Sequence, residues 1–184
     1  MDSTNTKQQA ILEKLYFEAF DDQFERHGTT TGLIREAAGK TGVRAKPAYV
    51  SALGASGEGI AIMSMLKIDR DLLTRLHPLG SADISELYLQ DWCRELNNQI
   101  VGRLKNKLLC YGIEISLGLP VLLSGSGVTT IAAPNQTVSE RSFESRDSLM
   151  TLALSTILDP DLEFLEQQSS ADESALLEGS LSLF

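Results

Sequence analysis

Apolar residues recur along this chain with two different periods, and the changes between them mark its elements. From Gln8 to Arg26 the positions Ile11, Leu12, Leu15, Tyr16, Ala19, Phe20 and Phe24 follow helical spacing and form a broad stripe of the kind that packs on a core. Gly28, just after His27, supplies a C-cap. A longer helical pattern runs from Ile84 to Cys110, with Ser81 or Asp83 as its start. At about 100° per residue, Leu89, Cys93, Leu96, Ile100 and Leu104 fall on one side of this helix. Asp91, Glu95, Asn98, Gly102 and Lys105 recur on the opposite side at spacings of four and three, a narrow polar ridge that should face solvent or a partner.

Between and after these helices the period drops to two. Ala48–Leu53 and Ile60–Lys67 predict two strands around the turn Gly54-Ala55-Ser56-Gly57-Glu58-Gly59. Asp69 caps a short helix through Leu76, which Pro78-Leu79-Gly80 ends. Ile113–Leu117 and Pro120–Leu123 predict further strands before a Ser/Gly turn at Ser124–Gly127. Val128–Ala133, Gln136–Phe143 and Leu149–Leu154 read as strands of the same sheet. Thr29–Lys46 holds a short helix around Leu33–Ala38 and then a Gly/Lys-rich turn.

A length of 184 residues and 42% hydrophobic content suit one domain with a substantial core. No segment approaches 18 consecutive apolar residues and no signal-peptide pattern follows Met1, so a soluble, cytoplasmic protein is expected. The net charge of −9 is unevenly spread: every Lys and Arg lies at or before Arg146, and the rest of the chain is purely acidic. The body, residues 1–157, is therefore nearly neutral, and 158–184 is an acidic tail or helix. Its acids, Ser, Gln and scattered Leu and Phe are compatible with a frayed helix, a solvating segment or a partner-binding one.

Several chemistries drop out. A nucleic-acid footprint needs a basic stripe, which is missing. Gly39-Lys40-Thr41 ends like a phosphate loop, but that motif needs glycine at position 34, where Ile34 stands. The glycines of 54–59 have the wrong spacing for a dinucleotide site, and no helix follows the strand before them. Asn135-Gln136-Thr137 matches a glycosylation sequon, irrelevant in a cytoplasmic protein. Cys93 and Cys110 are too far apart on one straight helix to bond each other. His27 and His77 stand alone, without metal-ligand spacing.

Two residues of the ridge are odd for a merely solvated face. Asn98 has mediocre helix propensity, and Gly102 at a helix centre costs roughly 0.5–1 kcal/mol relative to Ala. Glycine there leaves bare backbone that another surface can approach closely; the competing account is an ordinary soluble face with one tolerated glycine. The run from Asp91 to Lys105, with Leu108 after it, resembles the signature helix of the CheX chemotaxis phosphatases in the CheC/CheX/FliY family. That pattern reads acidic, then Glu-x-x-Asn, then Gly, then Lys and Leu. Glu95 and Asn98 occupy its Glu and Asn, Gly102 its glycine, Lys105 and Leu108 its end. Arg94 departs from the small residue usual before the Glu, a change that bears on partner choice more than on chemistry. The first helix, and the strand, Gly-x-Pro and Gly-containing turn after the signature helix, also have counterparts in CheX-like chains.

The implied fold is α+β, two long helices packed on a largely antiparallel sheet, with two helix–hairpin halves that point to an internal duplication. The resemblance implies hydrolysis of the aspartyl phosphate on a CheY-like response-regulator receiver domain, with Asn98 orienting the attacking water and Glu95 accepting from a lysine of the regulator. Asp91, Gly102 and Lys105 complete the partner-binding face. No cofactor is expected on this chain, the receiver bringing magnesium and the phosphoryl group, and a homodimer is implied by analogy. In the first helix the nearest analogue, Glu18-x-x-Asp21, lacks the amide, so one active site per chain is expected. The alternative is a non-catalytic adaptor that binds a receiver or a flagellar-switch partner without turnover.

Overall fold

The computed structural model describes residues 3–26, 35–36, 48–79, 84–125 and 136–165. Two 24-residue helices, α1 (Ser3–Arg26) and α3 (Glu86–Leu109), lie on an antiparallel sheet built from β1 (Arg35–Glu36), β2 (Ala48–Gly57), β3 (Ile60–Asp69), β4 (Ser116–Leu117), β5 (Val121–Gly125), β6 (Thr137–Ser145) and β7 (Ser148–Leu158), with the short α2 (Arg70–Leu76) after β3. The apolar stripes explain the layering. Leu12, Leu15, Tyr16, Ala19, Phe20 and Phe24 of α1 and Leu89, Cys93, Leu96, Ile100 and Leu104 of α3 are buried against Leu53, Ile62, Leu66, Leu152 and Leu154 of the sheet.

Strand order is β1-β6-β7-β3-β2-β4, with β5 also pairing β2. With β5 taken as the strand beside β2 and the two-residue β4 left aside, the order is its own mirror when the halves are exchanged: β2–β3 corresponds to β6–β7, the short β1 to β5, and α1 to α3. Each hairpin turns in two residues, Glu58-Gly59 and Arg146-Asp147, and each short strand pairs with the hairpin of the other half. Such crossed pairing makes the halves inseparable, and the β3–β7 ladder runs down the middle.

The structure departs from the sequence reading at several points. The turn of the first hairpin is Glu58-Gly59, with Gly59 at φ 69°, and not 54–59, because β2 and β3 continue to Gly57 and Ile60. Gly54 and Gly57 serve a close approach instead: Gly118 N donates to Gly54 O at 2.8 Å, and a Cβ on Gly57 would lie 2.1 Å from Glu114 O. Arg35 and Glu36, expected in a short helix, form β1 because they complete the edge beside β6. Of Ile113–Leu117 only Ser116–Leu117 is strand; Ile113 and Ile115 are buried all the same. The long helix begins after Ser85, whose hydroxyl accepts from Tyr88 N, rather than at 81 or 83. Asp69 sits at the N-cap of α2 as expected, yet its carboxylate accepts from Leu149 N at 2.9 Å and so ties that corner to β7. The strand over Val128–Ala133, the Gly/Lys-rich turn, His27 with Gly28, and the tail from 166 onward lie outside the described residues.

After β7 the chain closes one end of the helical layer. Asp159 N donates to Gly59 O, Gln8 Nε2 to Leu162 O, and Leu165 N to Tyr111 O, while Leu162 and Phe164 pack on the core. No described helix is long and apolar enough to cross a membrane.

The crossing at Gly57 predicts an asymmetric response to adding a methyl group. Gly57→Ala should lower unfolding free energy by about 1–3 kcal/mol, the scale of overpacking. Gly54→Ala, whose Cβ would meet Met63 at 3.7 Å, should be near neutral. Urea unfolding of both variants checks this, and equal stabilities would contradict it.

Candidate functional site

The rotation of α3 is set by its buried side. Besides the apolar stripe, Asn97 is fully buried: its Nδ2 donates to Ser51 O (3.0 Å) and Ser64 O (3.3 Å), and its Oδ1 accepts from Ser64 Oγ (2.6 Å), which is itself 2.7 Å from Tyr16 Oη. Burial pushes the Tyr16 hydroxyl well above its ordinary pKa, the Ser64 bond opposing only in part, so it stays a neutral donor. One step of about 100° further round the helix, Asn98 emerges at the surface, half-buried. The paired asparagines thus divide their work, one inward and one outward. The sequence reading missed Asn97; its signal was a polar residue four positions after Cys93 and three before Ile100, inside the apolar stripe.

All five ridge residues lie on the outward side. Asp91 and Glu95 are exposed, and Asn98, Gly102 and Lys105 are half-buried. Asp91 is not free, since Arg94 Nη1 bonds its Oδ1 at 2.6 Å, an exposed pair of the kind worth ~0–1 kcal/mol. Arg94 therefore lies back along the helix toward Asp91. Glu95 Oε1 accepts from Gln99 Nε2 at 2.6 Å. Among the described residues the Asn98 amide has no hydrogen-bond partner and Lys105 no carboxylate. A Cβ on Gly102 would meet nothing within 4 Å, so nothing in the packing of the chain calls for glycine there.

Other reactive groups are accounted for structurally. Cys93 is buried, and desolvation pushes its thiol up to about 12, with the backbone of Ser51 and Arg94 opposing, so it is no nucleophile at neutral pH. Cys110, like Cys93, is free. His77 Nδ1 accepts from Leu79 N (3.2 Å) and its ring stands edge-on to Trp92, a turn-stabilising role. Tyr49, raised to about 12 by desolvation and then by Glu86, donates to Glu86, which also pairs with Arg70. The described residues contain no group of three His, Cys, Asp or Glu that would hold a metal ion. In α1, Glu18 is engaged with Lys14 and Lys107, and Asp22 with Lys107 at 2.9 Å. Glu18, the carboxylate that opens the Glu18-x-x-Asp21 analogue, is thus engaged in joining the helices, together with the neighbouring Asp22.

Solved structures share this architecture. A chemotactic CheC-like protein from Shewanella oneidensis superposes with a TM-score of 0.63 at 19% identity, over 77% of this chain and 97% of that one. The chemotaxis protein CheX from Vibrio vulnificus gives 0.62 at 15%, over 77% and 98%. The chain has the CheC/CheX fold. A CheX–CheY–BeF3–Mg2+ complex from Borrelia burgdorferi matches with a TM-score of 0.58 at 12% identity, over 78% of this chain and 96% of that one. No protein-family model matches the sequence, and no curated protein is significantly similar to it. In this CheC/CheX-fold chain, the ridge of α3 is the outward face of the second-half helix.

If Gly102 serves only to leave backbone open, filling it should help the isolated chain. Gly102→Ala should raise unfolding free energy by up to about 1 kcal/mol, read by thermal or urea melting. A destabilised Ala variant would reveal a packing role for this glycine and contradict the geometry.

Proposed function

We propose that this chain is a chemotaxis-type phosphatase that hydrolyses the aspartyl phosphate of a CheY-like receiver docked on the ridge of α3. The observation that carries the reading is the Asn98 amide. It stands at Glu-x-x-Asn spacing on the outward face of a CheC/CheX-fold helix, with no bond to the described residues. Phosphoryl transfer asks mainly for positioning and charge stabilisation. A carboxamide offers a donor and an acceptor on one planar group, which suits it to hold a water in line with the phosphorus. Glu95, about one turn earlier, accepts from a lysine of the receiver and fixes the docking. Gly102 lets the partner approach the helix backbone, with Asp91 and Lys105 flanking. The magnesium ion and the phosphoryl group come with the receiver. A homodimer and a cytoplasmic location belong to the same reading.

Asn98→Ala should cut receiver dephosphorylation by about 100-fold or more, the scale of a misplaced reactant, with circular dichroism and melting unchanged because the side chain bonds nothing in the described fold. Decay of the phosphorylated receiver, followed with and without each protein, measures this. Unchanged turnover would exclude the mechanism. A wild-type chain that binds the receiver without accelerating decay would make it an adaptor.

A further inference from the structure

Gln23 of α1 is fully buried, at a place in the apolar stripe that would ordinarily hold a hydrophobe. Its Oε1 accepts from Arg103 Nε at 2.7 Å, its Nε2 donates to Gln99 Oε1, and Gln99 Nε2 donates to Glu95 Oε1 at 2.6 Å. Glu95, Gln99 and Arg103 follow one another at i, i+4 and i+8 on the flank of α3, and Gln23 bridges the last two. The direction of this chain is fixed by its ends. A guanidinium only donates and a carboxylate only accepts, so both amides must turn oxygen toward Arg103 and nitrogen toward Glu95. Turning either one around sets oxygen against oxygen or nitrogen against nitrogen on both of its sides. Aligned bonds of this kind polarise one another, with a cation at one end and the ridge carboxylate at the other.

We propose that Gln23, Gln99 and Arg103 are positioning residues, a one-way hydrogen-bond relay that holds the Glu95 carboxylate in its docking rotamer before the receiver arrives. The inference rests on the docking role of Glu95 proposed above. An exposed glutamate otherwise samples many rotamers, and ordering such a side chain on binding weakens affinity by about three- to ten-fold. The relay removes that cost and makes a buried residue of α1 a determinant of binding at α3.

Gln23→Glu separates relay from packing. It keeps the size and gives Arg103 a stronger acceptor, but it has no amide hydrogen to pass on. Gln99 must then turn its nitrogen toward residue 23 and present its oxygen to Glu95. A structural role for Gln23 predicts a neutral or improved protein; the relay predicts a released Glu95. Gln99→Met, similar in shape and a good helix former, breaks the relay on α3 while the bond from Arg103 to Gln23 stays in place; it takes from the buried Gln23 Nε2 its Gln99 acceptor, so melting is recorded beside the couplings. In the free protein, three-bond couplings should report one Glu95 χ1 rotamer for wild type and averaging in both variants. With phosphorylated receiver, KM should rise about three- to ten-fold at unchanged kcat, and the increment should vanish when Glu95→Gln is the background. A single rotamer kept in both variants, a fall in kcat instead of a rise in KM, or an increment that persists in the Glu95→Gln background would overturn the relay. A wild-type chain that neither binds nor turns over the receiver overturns the function instead, and the couplings alone then decide whether Gln23 holds Glu95.

Discussion

Asn97 bonds α3 to both strands of the first hairpin at once, through Ser51 on β2 and Ser64 on β3. Apolar stripes are forgiving about rotation, because a leucine displaced by twenty degrees still buries most of its area. A buried amide is not, since leaving its donor or acceptor unmade costs about 1–3 kcal/mol for each group. The network therefore pins α3 about its axis, and everything on the outer face follows from that angle. With Asn97 inward, Asn98 must emerge and Glu95, Gly102 and Lys105 must share its side. The same network reaches Tyr16 through Ser64, so α1 is registered against the same point of the sheet.

The pseudo-symmetric topology makes the functional asymmetry plain. With β4 left aside, the strand order is unchanged when the halves are exchanged, yet the two long helices use their polar positions differently. On α1, Glu18 and Asp22 hold Lys107 of α3 and Gln23 reaches Gln99 and Arg103, so these three polar residues join helix to helix. On α3 the outer face keeps an amide and an ammonium free of partners in the described fold, beside a glycine that packing does not require. One half supports and the other presents.

The stripes of α1 and α3, the two hairpins and the outward ridge were legible in the sequence because burial imposes a period, and a period survives in a single chain. What escaped were the interactions that depend on a second element. Gly54 and Gly57 look like turn residues until Glu114 and Gly118 are seen to cross them; Arg35 and Glu36 have no strand character until β6 offers an edge. Ser85, Asp83 and Ser81 are chemically equivalent caps, and only the geometry selects Ser85. Asn97 and Gln23 were visible as polar residues in apolar stripes, but their partners lie 46 and 76 residues away and leave no local trace. The ridge itself was found through its spacing, and the Asp91–Arg94 pair shows that spacing alone does not tell a free carboxylate from an engaged one.

The central claim is that the outer face of α3 is the docking surface, and amide chemical-shift mapping of the isotopically labelled chain tests it most directly. On titration with a phosphorylated CheY-like receiver in magnesium, the largest perturbations should run along Asp91, Glu95, Asn98, Gly102 and Lys105, with the sheet and the outer face of α1 unmoved. Perturbations centred on α1 or on the β5 edge, with α3 silent, would contradict it.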